Sequence, residues 1–257
     1  MKIVELEIPA TVVPAGFREN VLVRPGGSPF SPYSLLLDDE SAQHFLIIDF
    51  CCGRDSYQIS RGAFPASVFS EKAMMEEIYF GSVLADPDPG RAYTLLDVNR
   101  DPGLVDCGFN LWVVNTSREA QTFRGKVLGW SEMCRPLDRF RTVVGLGSTR
   151  VPGGQACNVA VMPQFDFAPD RLVVPRAIGA SFVVDMVRIF EFGTGDLRGN
   201  TAGGELGSAY SERLEGRISL TGVRQTRPGD VLSVSVRNVG DEPADFCGAF
   251  FGTAQAM

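Results

Sequence analysis

A chain of 257 residues, 44% hydrophobic and 21% charged, has the balance of a globular protein and the length for two domains, each burying its own core. The formal charge of −7 argues against a general binder of polyanions and leaves room only for local basic patches. No apolar run approaches the ~20 residues of a membrane-spanning helix. The start, Met1-Lys2-Ile3-Val4-Glu5, also lacks the continuous apolar stretch of a signal peptide, so a soluble protein made in the cytoplasm is expected.

In residues 1–12, Glu5 and Glu7 follow Ile3 on one side while Val4, Leu6 and Ile8 take the other, the alternation of a strand with one buried face. Pro14-Ala15-Gly16 turns the chain, and Val21-Leu22-Val23 gives a second strand. Leu35-Leu36-Leu37 and the apolar run 45–50, both bounded by breakers, read as strands buried on both faces. Residues 72–92 hold the best short helix candidate, Ala73-Met74-Met75-Glu76-Glu77-Ile78. The following Asp86-Pro87-Asp88-Pro89-Gly90 can only be a turn or loop. Alternation returns in 108–115, and 123–130 closes the first domain.

Residues 131–150 carry Arg135, Arg139, Arg141 and Arg150 and read as an interdomain connection, a solvated linker in preference to a small anion site. Val143-Val144 makes it partly extended, opening the second domain as 1–12 open the first. Strands are then expected at 159–161, 172–174, 181–184, 218–220, 231–236 and 248–252. Glycines at 193, 195, 199, 203, 204 and 207 make 193–207 a long mobile loop candidate.

The second half repeats the first. Pro14, Gly16, Asn20, Val21 and Pro25 recur at one constant offset as Pro152, Gly154, Asn158, Val159 and Pro163. Phe30, Pro32, Leu35 and Leu37 recur, one residue closer, as Phe167, Pro169, Leu172 and Val174. Ser67, Phe69, Ser70 and Glu71 match Ser208, Tyr210, Ser211 and Glu212, and Pro102-Gly103 matches Pro228-Gly229. Asn115, Phe123, Gly125 and Gly129 match Asn238, Phe246, Gly248 and Gly252 at a single offset. Ordered anchor groups with rigid internal spacing and a domain-sized period describe two homologous domains in tandem. The segment 72–92 is an insertion absent from the second copy. Short strands, many breakers and few helices give an all-β fold: two tandem jelly-roll-like β-sandwiches, 1–130 and 151–257, joined by 131–150. Phe30 and Phe167, and Phe123 and Phe246, should then occupy equivalent buried places.

The chemistry is sparse. His44 is the only histidine and reads as a polar edge residue; no nucleophile elbow, P-loop or His-Glu-x-x-His motif is present. Cys51, Cys52, Cys107, Cys134, Cys157 and Cys247 follow no metal-ligand spacing and read as reduced, half-buried side chains, with the adjacent Cys51-Cys52 the one reactive candidate. The repeated Ser-x-aromatic-Ser-Glu motif reads as a turn held by Ser and Glu side-chain bonds to backbone, its aromatic anchored in the core. Asp38-Asp39-Glu40, Asp86/Asp88 and Asp166/Asp170 leave calcium open, without the loop spacing of a calcium motif. The repeated Phe-x-Gly reads as a core aromatic beside a glycine that permits a close neighbour. No catalytic residue, cofactor-binding residue, metal ligand or cofactor is assigned, and no enzyme is expected.

Two tandem β-sandwiches without catalytic residues resemble the double jelly-roll major capsid proteins of viruses. The resemblance covers most of the chain and rests on architecture and duplication, with no diagnostic motif; the chain is compact for that group. It implies a structural self-assembling coat subunit of a virion, three copies forming a trimer of pseudo-sixfold outline that tiles a shell. The partners it implies are copies of itself and other coat proteins, with nucleic acid contact at most indirect. Segments 72–92 and 193–207 would be exposed loops or intersubunit clasps. Two other readings stand beside it: a tandem carbohydrate- or ligand-binding module, for which only Trp112 and Trp130 offer indole faces, and an enzyme using two carboxylates alone.

Overall fold

The computed structural model describes residues 3–24, 31–52, 55–56, 63–70, 109–130, 139–191, 194–211, 220 and 223–255. The chain is all-β, with four antiparallel sheets pairing into two sandwich-like units. One unit takes in Met1–Ile59 and Ala66–Phe140, the other Ser60–Pro65 and Arg141–Met257. The insertion 72–92 with its helix candidate, Phe30, Pro102-Gly103 and the 218–219 part of a strand candidate lie outside the described residues.

The first unit is built from β1 (Ile3–Val13), β2 (Arg18–Val23), β3 (Ser31–Leu37), β4 (Phe45–Cys52) and the two-residue β5 (Asp55–Ser56). A short β6 (Phe64–Pro65), counted with the second unit, comes next in the chain, and β7 (Phe109–Asn115) and β8 (Gln121–Trp130) complete the first. One sheet has the order β1-β8-β3 and the other β2-β7-β4-β5. The second unit uses β9 (Arg139–Val151), β10 (Ala156–Val161), β11 (Asp166–Val173), β12 (Phe182–Phe190), β13 (Leu197–Leu206), β14 (Val231–Asn238) and β15 (Ala244–Gln255). Its sheets run β9-β15-β11 and β10-β14-β12-β13. Taken in sequence, both units therefore wind their strands between two sheets in the same jelly-roll order. A single helical turn precedes the fourth strand of each winding: α1 (Asp39–Ala42) before β4 and α2 (Arg176–Gly179) before β12.

The repeat extends to the register. Asn20 pairs with Trp112 and Val21 with Leu111; at the counterpart positions Asn158 pairs with Ser235 and Val159 with Val234. Pro32 faces Gly129 as Pro169 faces Gly252, and each pairing then slips at a bulge, around Tyr33 and Asp170. A second bulge recurs where β4 and β12 pair with their central neighbours, at Ile48 and at Asp185. Bulges fix register because a one-residue slip would turn every core side chain outward.

The cores are equivalent too. Phe123 and Phe246 are fully buried, and each meets a second buried ring edge-on: Phe45 at 5.1 Å and Phe182 at 5.2 Å between centroids. Two residues beyond each phenylalanine, Gly125 and Gly248 lie against the carbonyls of Leu36 and Val173, so close at Gly125 that a Cβ would collide with the backbone. Asn115 and Asn238, both buried, lock the turn before the last strand. Each donates from Nδ2 to the end of its unit's first strand, Val13 O (2.8 Å) or Val151 O (3.0 Å). Each also donates to the carbonyl four residues on, Glu119 or Glu242, and accepts at Oδ1 from the amide two residues on.

Period-two patterning produces these strands. β7 alternates buried and half-buried residues along its whole length. In β1, Glu5 and Glu7 both reach Lys126 (2.8 and 3.5 Å), and a register shift between Ile8 and Thr11 returns Val13 to the core. Three expectations change. Leu35 and Leu37 are buried but Leu36 is half-exposed, so that strand has one core face. The stretch 139–150, read as part of a solvated linker, lies in β9 with Val143 and Val144 buried. The part of that reading in which they open the second domain as 1–12 open the first agrees with β9 pairing with β15 as β1 pairs with β8. Most of the expected mobile loop 193–207 is strand: β13 pairs with β12 from Leu197 to Leu206. Gly203 serves closeness and Gly204 a left-handed backbone turn, with φ +98° and open space around it. Gly203 and Gly204 sit opposite Asp185 in a bulge where a Cβ on Gly203 would strike the backbone of Val184 and Asp185.

Candidate functional site

The repeated Ser-x-aromatic-Ser-Glu motif forms equivalent 3₁₀ turns, Ala66–Phe69 and Gly207–Tyr210. Each closes with a backbone bond, Ser70 N to Ser67 O (3.1 Å) and Ser211 N to Ser208 O (3.2 Å), and Phe69 and Tyr210 are buried as anchors. At the first serine of the motif the expected side-chain bond is not made. Ser67 Oγ is buried without a hydrogen-bond partner, and Ser208 is exposed. Tyr210 likewise buries a hydroxyl with no partner, and burial, with Glu205 adding, raises its pKa above the usual phenol value. Glu71 and Glu212 lie outside the described residues.

The other singled-out residues are dispersed. His44 is half-buried at the entry to β4, where its backbone carbonyl accepts from Thr116 N (2.8 Å) and Thr116 Oγ1 (3.0 Å). Asp38 caps α1 by accepting from Ser41 N at 3.1 Å and pairs with Arg124 at 3.4 Å. Asp170 occupies the β11 bulge, and Asp86 and Asp88 lie outside the described residues. Among the described residues, no group of three or more His, Cys, Asp or Glu side chains gathers to hold a metal. Of the arginines in 131–150, Arg150 is exposed and pairs with Asp245 at 2.9 Å, Arg139 and Arg141 fall on β9, and Arg135 lies outside the described residues.

Cys157 and Cys247 are free thiols, both half-buried; burial raises Cys157, and burial with Asp245 pushes Cys247 up to about 12. Neither has the electropositive surroundings of a nucleophilic cysteine. Cys51 and Cys52 end β4, opposite Ser56 and Asp55 of β5; Cys107 and Cys134 lie outside the described residues. Trp112 is half-exposed on the outer face of β7, but the Arg18 guanidinium lies 4.3 Å above its ring and covers that face. Trp130 ends β8.

Sequence reasoning missed a cleft in which polar side chains converge. In the second unit, a cleft of about 530 Å³ is lined by Asp166, Leu197, Arg224, Gln225 and Arg227. Asp166 on one side and Gln225 and Arg227 on the other flank an isolated β-bridge between Phe167 and Thr226. Phe167 N donates to Thr226 O (3.1 Å), Thr226 N donates to Phe167 O (2.7 Å), and Thr226 Oγ1 donates to the same carbonyl (3.1 Å). Both residues are fully buried, so their neighbours Asp166, Gln225 and Arg227 are turned outward. The sequence signals nearby were Asp166, singled out with Asp170 as a loose acidic pair, and the Pro228-Gly229 turn, tied by Arg227 N donating to Asp230 Oδ2 at 2.9 Å.

Large apolar side chains are exposed on both units: Val12, Phe17 and Leu22 on the first, Met162, Leu197, Leu206 and Val239 on the second. Val12 and Phe17, 66% and 64% exposed, lie on either side of the Pro14–Gly16 turn. No helix among the described residues is long and apolar enough to cross a membrane.

Fold and sites together define a class, a tandem jelly-roll β-sandwich protein whose polar side chains serve mainly turns and registers. No protein-family model matches the sequence, and no curated protein matches it either.

Proposed function

We propose that this chain is a structural, self-assembling protein, a coat subunit that builds a virion shell with copies of itself. The observation that carries the reading is the doubled jelly roll: one strand order and one set of bulges presented twice in a single chain. Such a chain offers related surfaces at two places, which suits rings and shells built from repeated contacts. The exposed apolar side chains on both units supply contact material, and a specific interface needs about 1,000 Å² or more with an apolar centre. At −7 the copies repel one another, so assembly should strengthen as salt screens that charge. Contact with a packaged genome would then be indirect, and trimers are the expected building block. Negative-stain electron microscopy of purified protein tests this: shells, sheets or rings support it. Dispersed monomers at every salt concentration would instead favour a tandem ligand-binding module.

A further inference from the structure

We infer that the cleft of the second unit is a binding site for a single free carboxylate carried beside an amide N–H and an apolar stem, as at a peptide C-terminus. Arg224 and Arg227 are exposed, and neither guanidinium has an ion-pair partner among the described residues. Elsewhere Arg124, Lys126, Arg150 and Arg237 each hold a carboxylate within 3.4 Å, and what sets Arg224 and Arg227 apart from other unpaired arginines is that they line one cleft together. Asp166 even stands directly across the β-bridge from Arg227, one residue outward on each strand, without forming the pair. The two cations are thus left to an outside anion, on which guanidinium groups act as paired donors.

The remaining lining selects the anion. Asp166 shares the cleft, so the site carries about one net positive charge, which neutralises a single carboxylate but leaves a phosphate dianion half-compensated beside Asp166. The same carboxylate can accept from an N–H next to the bound carboxylate, Gln225 adds a neutral donor, and Leu197, 54% exposed, offers an apolar wall. Arg227, Gln225 and Asp166 stand on backbone fixed by the Phe167–Thr226 bridge, so binding costs little main-chain ordering. The fold does not require these residues. Counting back from the Pro228-Gly229 and Pro102-Gly103 anchors, the first copy has Val98, Asn99 and Asp101 where the second has Arg224, Gln225 and Arg227. The site belongs to the second unit alone.

Amide-detected NMR tests this with N-acetylglycyl-leucine, its C-terminal amide and inorganic phosphate as probes. The free-acid peptide should give saturable shifts at Leu197, Gln225 and Arg227, with neither other probe matching it. The double variant Arg224→Gln/Arg227→Gln should weaken that binding by about tenfold, since a solvent-exposed ion pair is lost at each position, while Arg150→Gln leaves it unchanged. Asp166→Asn should reduce the preference for the peptide over acetate. No saturable shift, equal binding of the amide, tighter binding of phosphate, or an unaffected double variant with wild-type thermal unfolding would each overturn the assignment. The site does not depend on self-assembly, so either result leaves the coat-subunit reading to its own test.

Discussion

Replacing Asn238 by Ala removes three hydrogen bonds at once: Nδ2 to Val151 O (3.0 Å), Nδ2 to Glu242 O (2.8 Å) and Gly240 N to Oδ1 (2.9 Å). At about 1 kcal/mol net for each bond, the expected loss is about 3 kcal/mol, and the bond to Val151, formed in the buried interior, keeps it from being smaller. Asn115→Ala removes the matching bonds to Val13 O, Glu119 O and Ser117 N, with one from Ser117 Oγ besides, so its cost should equal or slightly exceed that of Asn238→Ala. Asn→Asp at either place should cost more, because a carboxylate would face two carbonyl oxygens that need a donor. Urea unfolding measures both. Trp112 and Trp130 belong to the first unit, so tryptophan fluorescence reads the Asn115 variant, and far-UV circular dichroism reads Asn238→Ala. Losses below about 1 kcal/mol at both positions would refute the idea that this amide locks each unit's closing turn.

Phe123→Ala and Phe246→Ala should each cost about 3–5 kcal/mol in denaturant melts, as expected for fully buried rings; a cost near zero at either would break the equivalence of the two cores. Tyr210→Phe should stabilise the protein by about 1 kcal/mol, because it deletes a buried hydroxyl without a partner, and the first unit has Phe69 there. A clear loss of thermal stability would instead reveal a bond to that hydroxyl. Cys247 is held protonated in the fold up to about 12, against an ordinary 9.0. Its contribution is therefore intact below pH 9 and falls as pH climbs towards 12, where the unfolded chain has released the proton and the folded one has not. Cys247→Ala should flatten the alkaline decline in thermal midpoint relative to wild type, and identical curves would contradict the burial.

Much of the fold was legible because the anchors sit where few residues are tolerated. Pro32 and Pro169 each precede a bulge by one residue, Gly125 and Gly248 leave room for a neighbouring carbonyl, and Asn115 and Asn238 satisfy the same three backbone groups. Constraints of that kind survive divergence as fixed spacings, so the repeat in sequence became a repeat in register. The reading of 193–207 failed for a related reason. Glycine content signals both freedom and closeness, and composition cannot separate them; in β13 the cause was a bulge pressed against β12. The cleft residues escaped notice because Arg224, Gln225 and Arg227 form no motif. They come together through a single β-bridge between segments far apart in the chain, a long-range contact that no local pattern encodes. The serine motif was legible as a turn with a core anchor, and Phe69 and Tyr210 are buried at equivalent places in it.

The most direct test of the central proposal is sedimentation velocity across a concentration series, from low to tens of micromolar, repeated in low and high salt. A coat subunit should show mass rising with concentration through a trimer to larger species, with the rise steeper in high salt as repulsion between chains of −7 is screened. A single species at the monomer mass of 27.9 kDa throughout both series would contradict self-assembly.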